Sequence, residues 1–279
     1  MSRTPFKASC IQLSVGPDPE ENFVETENLV RAAAGEGALF ITTPENTCFI
    51  DTDKSRKFER AQPSETHPLL PKFSKLAKDL GVWLQAGSLK IRIEGADRLA
   101  NRSHLFSPAG DLVATYDKIH LYDVDLPNGE IQRESSEFTP GDRAVLANLP
   151  DFKTKLGMTI CYDVRFPHLY RDLARAGAEI FTVPSAFTVP TGQAHWEVML
   201  RARAIESGSF VLAPAQGGNH DGTRVTYGHS MIIDPWGHIL AEKPDDTPGI
   251  ITAEIDLSKV DRARAAIRQL RHDRQYEII

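Results

Sequence analysis

The sequence predicts an α/β fold, because short apolar segments alternate with amphipathic helical segments along most of the 279 residues. The shares of hydrophobic and charged residues, 41% and 25%, are those of an ordinary globular protein. No linker or low-complexity run divides the chain, and its two halves share a rhythm without a sequence period. We therefore expect one domain over residues 1–279.

The first half begins with an apolar strand over residues 6–15 and an amphipathic helix over residues 19–36. A short apolar strand starts at Ala38 and is stopped by Pro44. The polar, turn-rich segment 122–142 is predicted to be a long loop, and loops of this length are often functional. The other elements predicted here are a helix over 67–80, a strand over 81–91, a hairpin around 103–113 and a strand over 112–124.

The second half repeats the alternation of strands and helices. A hairpin over residues 228–242 turns at residues 234–237, which include a proline and a glycine. The other predicted elements are strands over 155–161, 179–187, 210–215 and 249–257, and helices over 167–178, 196–207 and 258–271.

Charge and motif content exclude several classes of function. The net charge of -6 gives no electrostatic reason to expect nucleic acid or an anionic membrane as a partner. Cys10, Cys48 and Cys161 form a poor disulfide framework, so we expect a reducing cytoplasm. The sequence has no CxxC pair, HExxH helix or nucleotide-binding motif, so no metal or cofactor is expected. No signal peptide is expected, and no apolar run approaches the roughly 20 residues of a membrane helix.

Cys161 is the first candidate for chemistry. It ends an apolar strand and precedes a helix-forming stretch that starts at Pro167. At such a turn a thiol can sit exposed beside backbone N–H groups, which favour the thiolate. A buried core cysteine is the alternative interpretation, because free cysteine is among the most buried residue types.

Three charged residues are further candidates. Glu45 follows another apolar strand, at the strand end where α/β folds place their sites. Lys118 lies on a predicted strand with apolar neighbours, so it either faces solvent or points into a cleft. Glu134 lies in the predicted long loop. For each residue taken alone, a solvated surface charge is the alternative interpretation.

Taken together, the segments around these residues resemble the nitrilase superfamily of carbon–nitrogen hydrolases. TTPENT, YDKIHLYD and CYDVRFP occur in the chain order of that family's Glu-Lys-Cys triad. HWEVMLRARAIE and YGHSMIIDPWG resemble its Nit branch, the deaminated glutathione amidases. The resemblance runs from the N-terminal strand to the last hairpin, so it covers nearly the whole chain.

The resemblance implies a four-layer α-β-β-α sandwich that self-associates, commonly as a homodimer. It implies that Glu45 is the general base, Lys118 the catalytic lysine and Cys161 the nucleophile. Glu134 matches an additional active-site glutamate of related amidases. The expected partner is a small-molecule amide substrate, and this chemistry requires no cofactor.

Amide hydrolysis by a thiol explains why these groups are needed. Glu45 would take the Cys161 proton and later protonate the leaving group, a role that favours a raised carboxyl pKa. Glu134 would raise that pKa, or would orient Lys118 and the attacking water. The Lys118 ammonium and the backbone N–H of Tyr162 would bind the oxyanion. This interpretation predicts a thioester intermediate on Cys161.

Residues near the nucleophile are candidates for substrate binding. Arg165 suits bidentate pairing with a substrate carboxylate, and a structural ion pair with Asp163 is the alternative. Phe187 and Thr191 follow a predicted strand end and would line the acyl pocket, with core packing and loop capping as their alternatives.

The leading functional hypothesis is hydrolysis of an amide on a small 2-oxo acid, with deaminated glutathione cut to 2-oxoglutarate and Cys-Gly. Release of ammonia from 2-oxoglutaramate and hydrolysis of an N-carbamoyl amino acid remain alternatives. A Cys-His site using His120 or His195 is a chemical rival that lacks its usual local signature. A non-catalytic interaction protein is a rival of another class, and the complete Glu-Lys-Cys set argues against it.

Overall fold

Two six-stranded sheets form the centre of the protein. The structure, a computed structural model, describes residues 3–127, 129–220, 222 and 224–279. The helices are α1 (Pro19–Gly35), α2 (Lys54–Arg60), α3 (Leu69–Leu80), α4 (Pro167–Arg175), α5 (Val189–Ser207) and α6 (Ser258–Ala266). Single-turn 3-10 helices lie at Glu134–Ser136, Pro150–Phe152, Cys161–Arg165 and Gln269–Arg271.

The strands of the first half are β1 (Phe6–Gln12), β2 (Ala38–Thr42), β3 (Trp83–Arg92), β4 (Leu99–Phe106), β5 (Leu112–Asp117), β6 (Asp123–Asp125) and β7 (Ile131–Arg133). Those of the second half are β8 (Val145–Leu149), β9 (Thr154–Met158), β10 (Ile180–Thr182), β11 (Phe210–Ala213), β12 (Gly217–Asn219), β13 (Val225–Tyr227), β14 (Met231–Ile233), β15 (Ile239–Glu242) and β16 (Gly249–Ile255).

The two large sheets share one plan. The first has the order β16-β1-β2-β3-β4-β5, and the second has the order β15-β14-β11-β10-β9-β8. In each, three central strands are parallel, β1-β2-β3 and β9-β10-β11, and the strands outside them are antiparallel. Helices connect the parallel strands, as the alternating sequence pattern predicts.

The sheets pack face to face, with helices outside. Alternate residues of one strand face opposite ways. Trp83 on β3 therefore belongs to the buried cluster that includes Leu156 of the second sheet, whereas the adjacent Leu84 packs in the cluster with Phe23 of α1 and Phe73 of α3. Helices α4 and α5 contact β9 and β11 on the other side. This arrangement confirms the predicted four-layer α-β-β-α sandwich.

Several predicted boundaries are wrong. The strand predicted over 112–124 ends at Asp117, where the chain leaves β4 and the Lys118 carbonyl accepts from the Gly141 N–H at 2.8 Å. The predicted loop 122–142 contains the small β6–β7 hairpin and a 3-10 turn, where Arg133 pairs with Asp125 at 2.7 Å. Helix α5 begins at Val189 rather than at residue 196, because Pro190 fits the first helical turn. Helix α2, strand β8 and the β12–β13 hairpin had no predicted counterpart.

None of the helices described is long and apolar enough to cross a membrane.

Candidate active site

Glu45 lies three residues after the end of β2, in a turn that folds tightly against β3. A side-chain carbon on Gly87 would lie only 1.8 Å from the carbonyl oxygen of Thr43. Only glycine therefore allows β3 to lie this close to the turn that carries Glu45. The next residue, Asn46, has a left-handed backbone with φ of 59°. The Gln216 amide donates to the Glu45 carbonyl at 3.0 Å, and Glu45 is 3% exposed. The turn therefore buries the carboxylate at the edge of both sheets.

Lys118 reaches Glu45 from the end of β5. Its Nζ lies 2.9 Å from Glu45 Oε1 and 2.8 Å from Glu134 Oε2. The Asn101 amide donates to Glu45 Oε1 at 2.9 Å and to Glu134 Oε1 at 3.3 Å. The Tyr122 N–H donates to Glu134 Oε2 at 2.6 Å. The Lys118 ammonium thus lies between two carboxylates, and the Asn101 amide donates a hydrogen bond to each carboxylate.

Cys161 begins a 3-10 turn three residues after the end of β9, with a φ of 50°. A left-handed backbone is uncommon outside glycine and clusters at functional sites. The Cys161 N–H donates to the Pro184 carbonyl at 2.9 Å, and its thiol hydrogen-bonds to Glu45. The structure therefore brings Glu45, Lys118, Glu134 and Cys161 together. The thiol is buried rather than exposed, which corrects the expectation for this turn.

Asp163 holds this turn in place, a role that sequence reasoning missed. Its carboxylate is fully buried and accepts from the Ile160 N–H at 2.9 Å and the Tyr116 hydroxyl at 2.6 Å. The His120 ring nitrogen lies 2.7 Å from the same carboxylate. Asp163 therefore ties the nucleophile's turn to β5, and His120 is engaged with it. The ion pair between Asp163 and Arg165, the alternative interpretation of Arg165, is not among the ion pairs of the described residues.

The electrostatics of the site place the proton on sulfur. Burial alone would raise the pKa of Glu45, but Lys118 and the hydrogen bonds to the carboxylate outweigh it, so that pKa falls below its usual range. This contradicts the expected raised pKa of the base. Burial, and then the charge of Glu45, raise the pKa of the Cys161 thiol far above its ordinary value. Burial would lower the pKa of Lys118, but Glu134 and Glu45 raise it well above the usual range.

A cavity of about 320 Å³ opens above these groups. All eight residues predicted for catalysis or substrate binding line it: Glu45, Lys118, Glu134, Cys161, Tyr162, Arg165, Phe187 and Thr191. This volume lies near the lower end of the roughly 300–1,000 Å³ usual for small-molecule sites. The cavity therefore suits a small organic substrate whose reacting bond lies at the buried thiol.

Arg165 lies over two aromatic rings at the cavity wall. Its guanidinium carbon is 5.7 Å from the ring centre of Tyr162 and 5.6 Å from that of Phe187. Its other contacts are the His195 ring nitrogen at 3.3 Å and the Met199 sulfur at 3.5 Å. Thr191 lies in the first turn of α5 rather than in a loop, and its hydroxyl is 2.9 Å from that of Thr188.

The part of the chain that the structure describes holds no cluster of three or more metal-binding side chains.

A family model for carbon–nitrogen hydrolases matches residues 7–265. A Synechocystis protein named deaminated glutathione amidase is 40% identical over 270 residues, which cover 96% of this chain and 98% of that protein. The human protein of the same name is 40% identical over 273 residues, which cover 97% of this chain and 82% of that protein.

Solved structures show the same fold. The NitFhit protein of C. elegans matches with a TM-score of 0.90 and 34% identity over 98% of this chain and 66% of the longer worm chain. Nit3 of Saccharomyces cerevisiae, described as a member of branch 10 of the nitrilase superfamily, matches with a TM-score of 0.84 and 28% identity over 95% of each chain. These likenesses confirm the resemblance seen in the sequence motifs.

Proposed function

The chain belongs to the carbon–nitrogen hydrolase family, and we propose that it hydrolyses deaminated glutathione to 2-oxoglutarate and Cys-Gly. The observation that carries the proposal is the buried thiol of Cys161 against the Glu45–Lys118–Glu134 cluster, at one end of a cavity of substrate size. The relatives named deaminated glutathione amidase, which match over nearly the whole chain, support this choice of amide.

In the first step the Cys161 sulfur attacks the amide carbonyl while Glu45 takes the thiol proton. The pKa values of the resting pair lie the wrong way round for transfer in the empty site, since the thiol is raised and the carboxyl lowered. The proton therefore moves as the sulfur–carbon bond forms, because the sulfur becomes much more acidic once it bonds to the carbonyl carbon. The nucleophile is generated in the presence of substrate, which protects the thiol between turnovers.

The carbonyl oxygen becomes an oxyanion in this step, and two donors are placed to receive it. Lys118 supplies a permanently charged ammonium, which its two carboxylates hold in place. The backbone N–H of Tyr162, in the 3-10 turn after the nucleophile, is the second donor. One such donor lowers the barrier by roughly 3–4 kcal/mol.

The tetrahedral intermediate collapses when Glu45 returns the proton to the nitrogen of the leaving Cys-Gly. A thioester between Cys161 and the 2-oxo acyl group remains. Glu45 then takes a proton from water, which attacks the thioester and releases 2-oxoglutarate and the thiol. Glu134 acts through Lys118, because it accepts from that ammonium with both oxygens, at 3.0 and 2.8 Å.

The acyl part of the substrate extends along the wall beside the nucleophile. Arg165 lies in the same 3-10 turn as Cys161, and no acidic side chain among the described residues pairs with it. We assign it to the carboxylate of the 2-oxo acid. Tyr162 and Phe187 flank its guanidinium and enclose the acyl chain, and Thr191 offers a hydroxyl.

Further expectations concern the setting of the enzyme. Exposed apolar side chains on α5 and in the nearby β14–β15 turn support a homodimer or higher oligomer; Val198, Ile205 and Trp236 are 69%, 45% and 51% exposed. Three free cysteines support a reducing cytoplasm. The shared core between the sheets supports one domain over residues 1–279.

A turnover assay tests the function. Wild type and Cys161→Ala are compared on deaminated glutathione, 2-oxoglutaramate and an N-carbamoyl amino acid. We expect the highest kcat/KM for deaminated glutathione and a loss of at least about 10⁴-fold in the variant, because it lacks the nucleophile. Unchanged near-ultraviolet circular dichroism shows that the variant is folded. Preference for another amide would reject this substrate, and near-native turnover by the variant would reject the mechanism.

A further inference from the structure

The wall of the cavity formed by the first sheet carries a second buried lysine, which no step of the mechanism uses. Lys90 lies on β3, is 4% exposed and lines the same cavity as Cys161. Its Nζ donates to Asn46 Oδ1 at 2.7 Å and to the Phe49 carbonyl at 2.6 Å. Both acceptors are neutral, so the charge of the ammonium is not balanced by them.

The acidic residues on this wall are engaged elsewhere. Asp51 pairs with Arg56 at 2.8 Å and with Arg60 at 2.7 Å, and Glu137 pairs with Lys57. Within residues 3–127, 129–220, 222 and 224–279, Lys90 forms no ion pair; its hydrogen-bond partners are Asn46 and Phe49, and the charge of Glu45 acts on it from beyond contact. A buried cation without an acidic partner is costly, so such a group is retained where it serves an incoming anion.

We infer that Lys90 binds the C-terminal carboxylate of the leaving dipeptide, and so selects an amide substrate that carries an anion at both ends. The inference rests on the proposed function and adds the recognition of the leaving group. Deaminated glutathione has two carboxylates, one on each side of the amide that is cut. Arg165 and Lys90 both line the cavity, neither forms an ion pair with a described acidic residue, and they enter the cavity from different sheets.

The position of Glu45 decides which end belongs to which cation. Glu45 must protonate the leaving nitrogen, so the dipeptide lies on its side of the cavity. Lys90 bonds to Asn46, the residue that follows Glu45, and is therefore on that side. Arg165 shares a turn with Cys161, which keeps the acyl part. An extended dipeptide spans about 7 Å, enough to carry its carboxylate away from the reacting bond.

A purely structural role is the competing explanation. By binding Asn46 and Phe49, Lys90 fastens residues 46–49 and thereby the turn that holds Glu45. Loss of that role would impair every substrate alike, because every amide needs the same base. Loss of carboxylate binding would impair only substrates whose leaving group ends in a carboxylate. The two explanations therefore differ in substrate dependence.

The test compares Lys90→Gln with wild type on three substrates: deaminated glutathione, its C-terminal primary amide and 2-oxoglutaramate. We expect Lys90→Gln to raise KM for deaminated glutathione at least about tenfold more than for the other two substrates, a difference that corresponds to about 1.4 kcal/mol. A loss common to all three substrates measures the structural role of Lys90. The exposed Lys75→Gln on α3 removes one lysine charge outside the cavity and should change none of them. Equal losses on all three substrates would overturn the inference.

A binding measurement separates this inference from the proposed reaction. Calorimetric titration of Cys161→Ala, with and without Lys90→Gln, measures the affinity for deaminated glutathione and for its C-terminal amide. A preference for the free acid that disappears with Lys90 supports the inference, even if wild type fails to hydrolyse the compound and the proposed function falls. Equal affinity for acid and amide in the protein that retains Lys90 overturns the inference alone.

Discussion

Two buried lysines of one cavity, Lys118 and Lys90, are 2% and 4% exposed, yet their surroundings give them opposite properties. Lys118 lies between two carboxylates, and their charge, acting against burial, raises its pKa well above the usual range. Lys90 has neutral acceptors, and burial lowers its pKa to about 8. Burial alone therefore does not set the behaviour of a lysine, and the partner decides it.

Lys118 therefore holds a fixed charge paired with two carboxylates, whereas the charge of Lys90 is available to a ligand. Lys118 is an ammonium at every physiological pH, as an oxyanion donor must be if its strength is not to vary. Lys90 forms no ion pair with a described carboxylate, and its two hydrogen-bond acceptors are neutral. An anionic ligand that contacts Lys90 would therefore form a new charge-assisted hydrogen bond. The comparison predicts that the first lysine acts on every amide and the second on a subset.

Replacing Lys118 should give the largest effect. Lys118→Met keeps an unbranched apolar stem but removes the ammonium and leaves Glu45 and Glu134 facing each other without a cation. We expect kcat to fall about 10³-fold for every amide, as for loss of an oxyanion donor. The measurement is kcat on deaminated glutathione, its C-terminal amide and 2-oxoglutaramate, with Lys75→Met as control. A loss confined to substrates with a terminal carboxylate would break the comparison.

The low pKa of Lys90 should appear in the stability of the protein. The group holds its proton to about pH 8 when folded and to about 10.4 when unfolded. Between these values unfolding takes up a proton, so the free energy of unfolding rises with pH, by about 3 kcal/mol in total. Below pH 8 both states are protonated and the full penalty of the buried charge remains.

Lys90→Met provides the reference, since other groups also titrate over this range. Denaturant unfolding of both proteins from pH 7 to 10 should show wild type gaining stability relative to the variant as pH rises above 8. Parallel curves would mean that the pKa of Lys90 is the same in the folded and unfolded protein, which would contradict the lowered pKa on which the contrast with Lys118 rests.

The sequence predicts the residues around Cys161, but it does not predict that Lys90 lies in the same cavity, and the reason is physical. Glu45 and Cys161 follow apolar strands, and α/β topology brings such strand ends together. Lys90 lies in an alternating strand and is indistinguishable from a solvated residue there. Its burial depends on Asn46 and Phe49, which are 44 and 41 residues away in the chain.

The same limit applies to elements whose shape depends on distant contacts. The segment 122–142 is polar and turn-rich, yet it holds Glu134 against Lys118, because the Tyr122 N–H binds the Glu134 carboxylate. The sequence offers Asp163 as one of two candidate partners for the nearby Arg165, but Tyr116 reaches Asp163 from β5. Local pattern predicts strands, helices and strand ends, whereas pairing across the two sheets is decided by tertiary packing.

The smallest effect is the pH dependence of substrate binding. Lys90 is an ammonium below pH 8 and a neutral amine above it, so a substrate that ends in a carboxylate loses its partner as pH rises. The titratable and charged groups acting on Lys90 are Cys48, Lys57, Arg224 and Glu45. We expect KM to rise up to about tenfold between pH 7 and pH 9, with little change in kcat.

The measurement needs an S-methyl derivative of deaminated glutathione, because a free substrate thiol titrates near roughly 8.5. Glu45 and Cys161 do not obscure the result, since the pKa of the first is lowered and that of the second is raised out of this range. Lys90→Arg should flatten the profile, because guanidinium stays charged throughout. A KM that rises equally for the C-terminal amide would place the titrating group elsewhere, and Lys90 would then resemble Lys118 in holding a fixed charge.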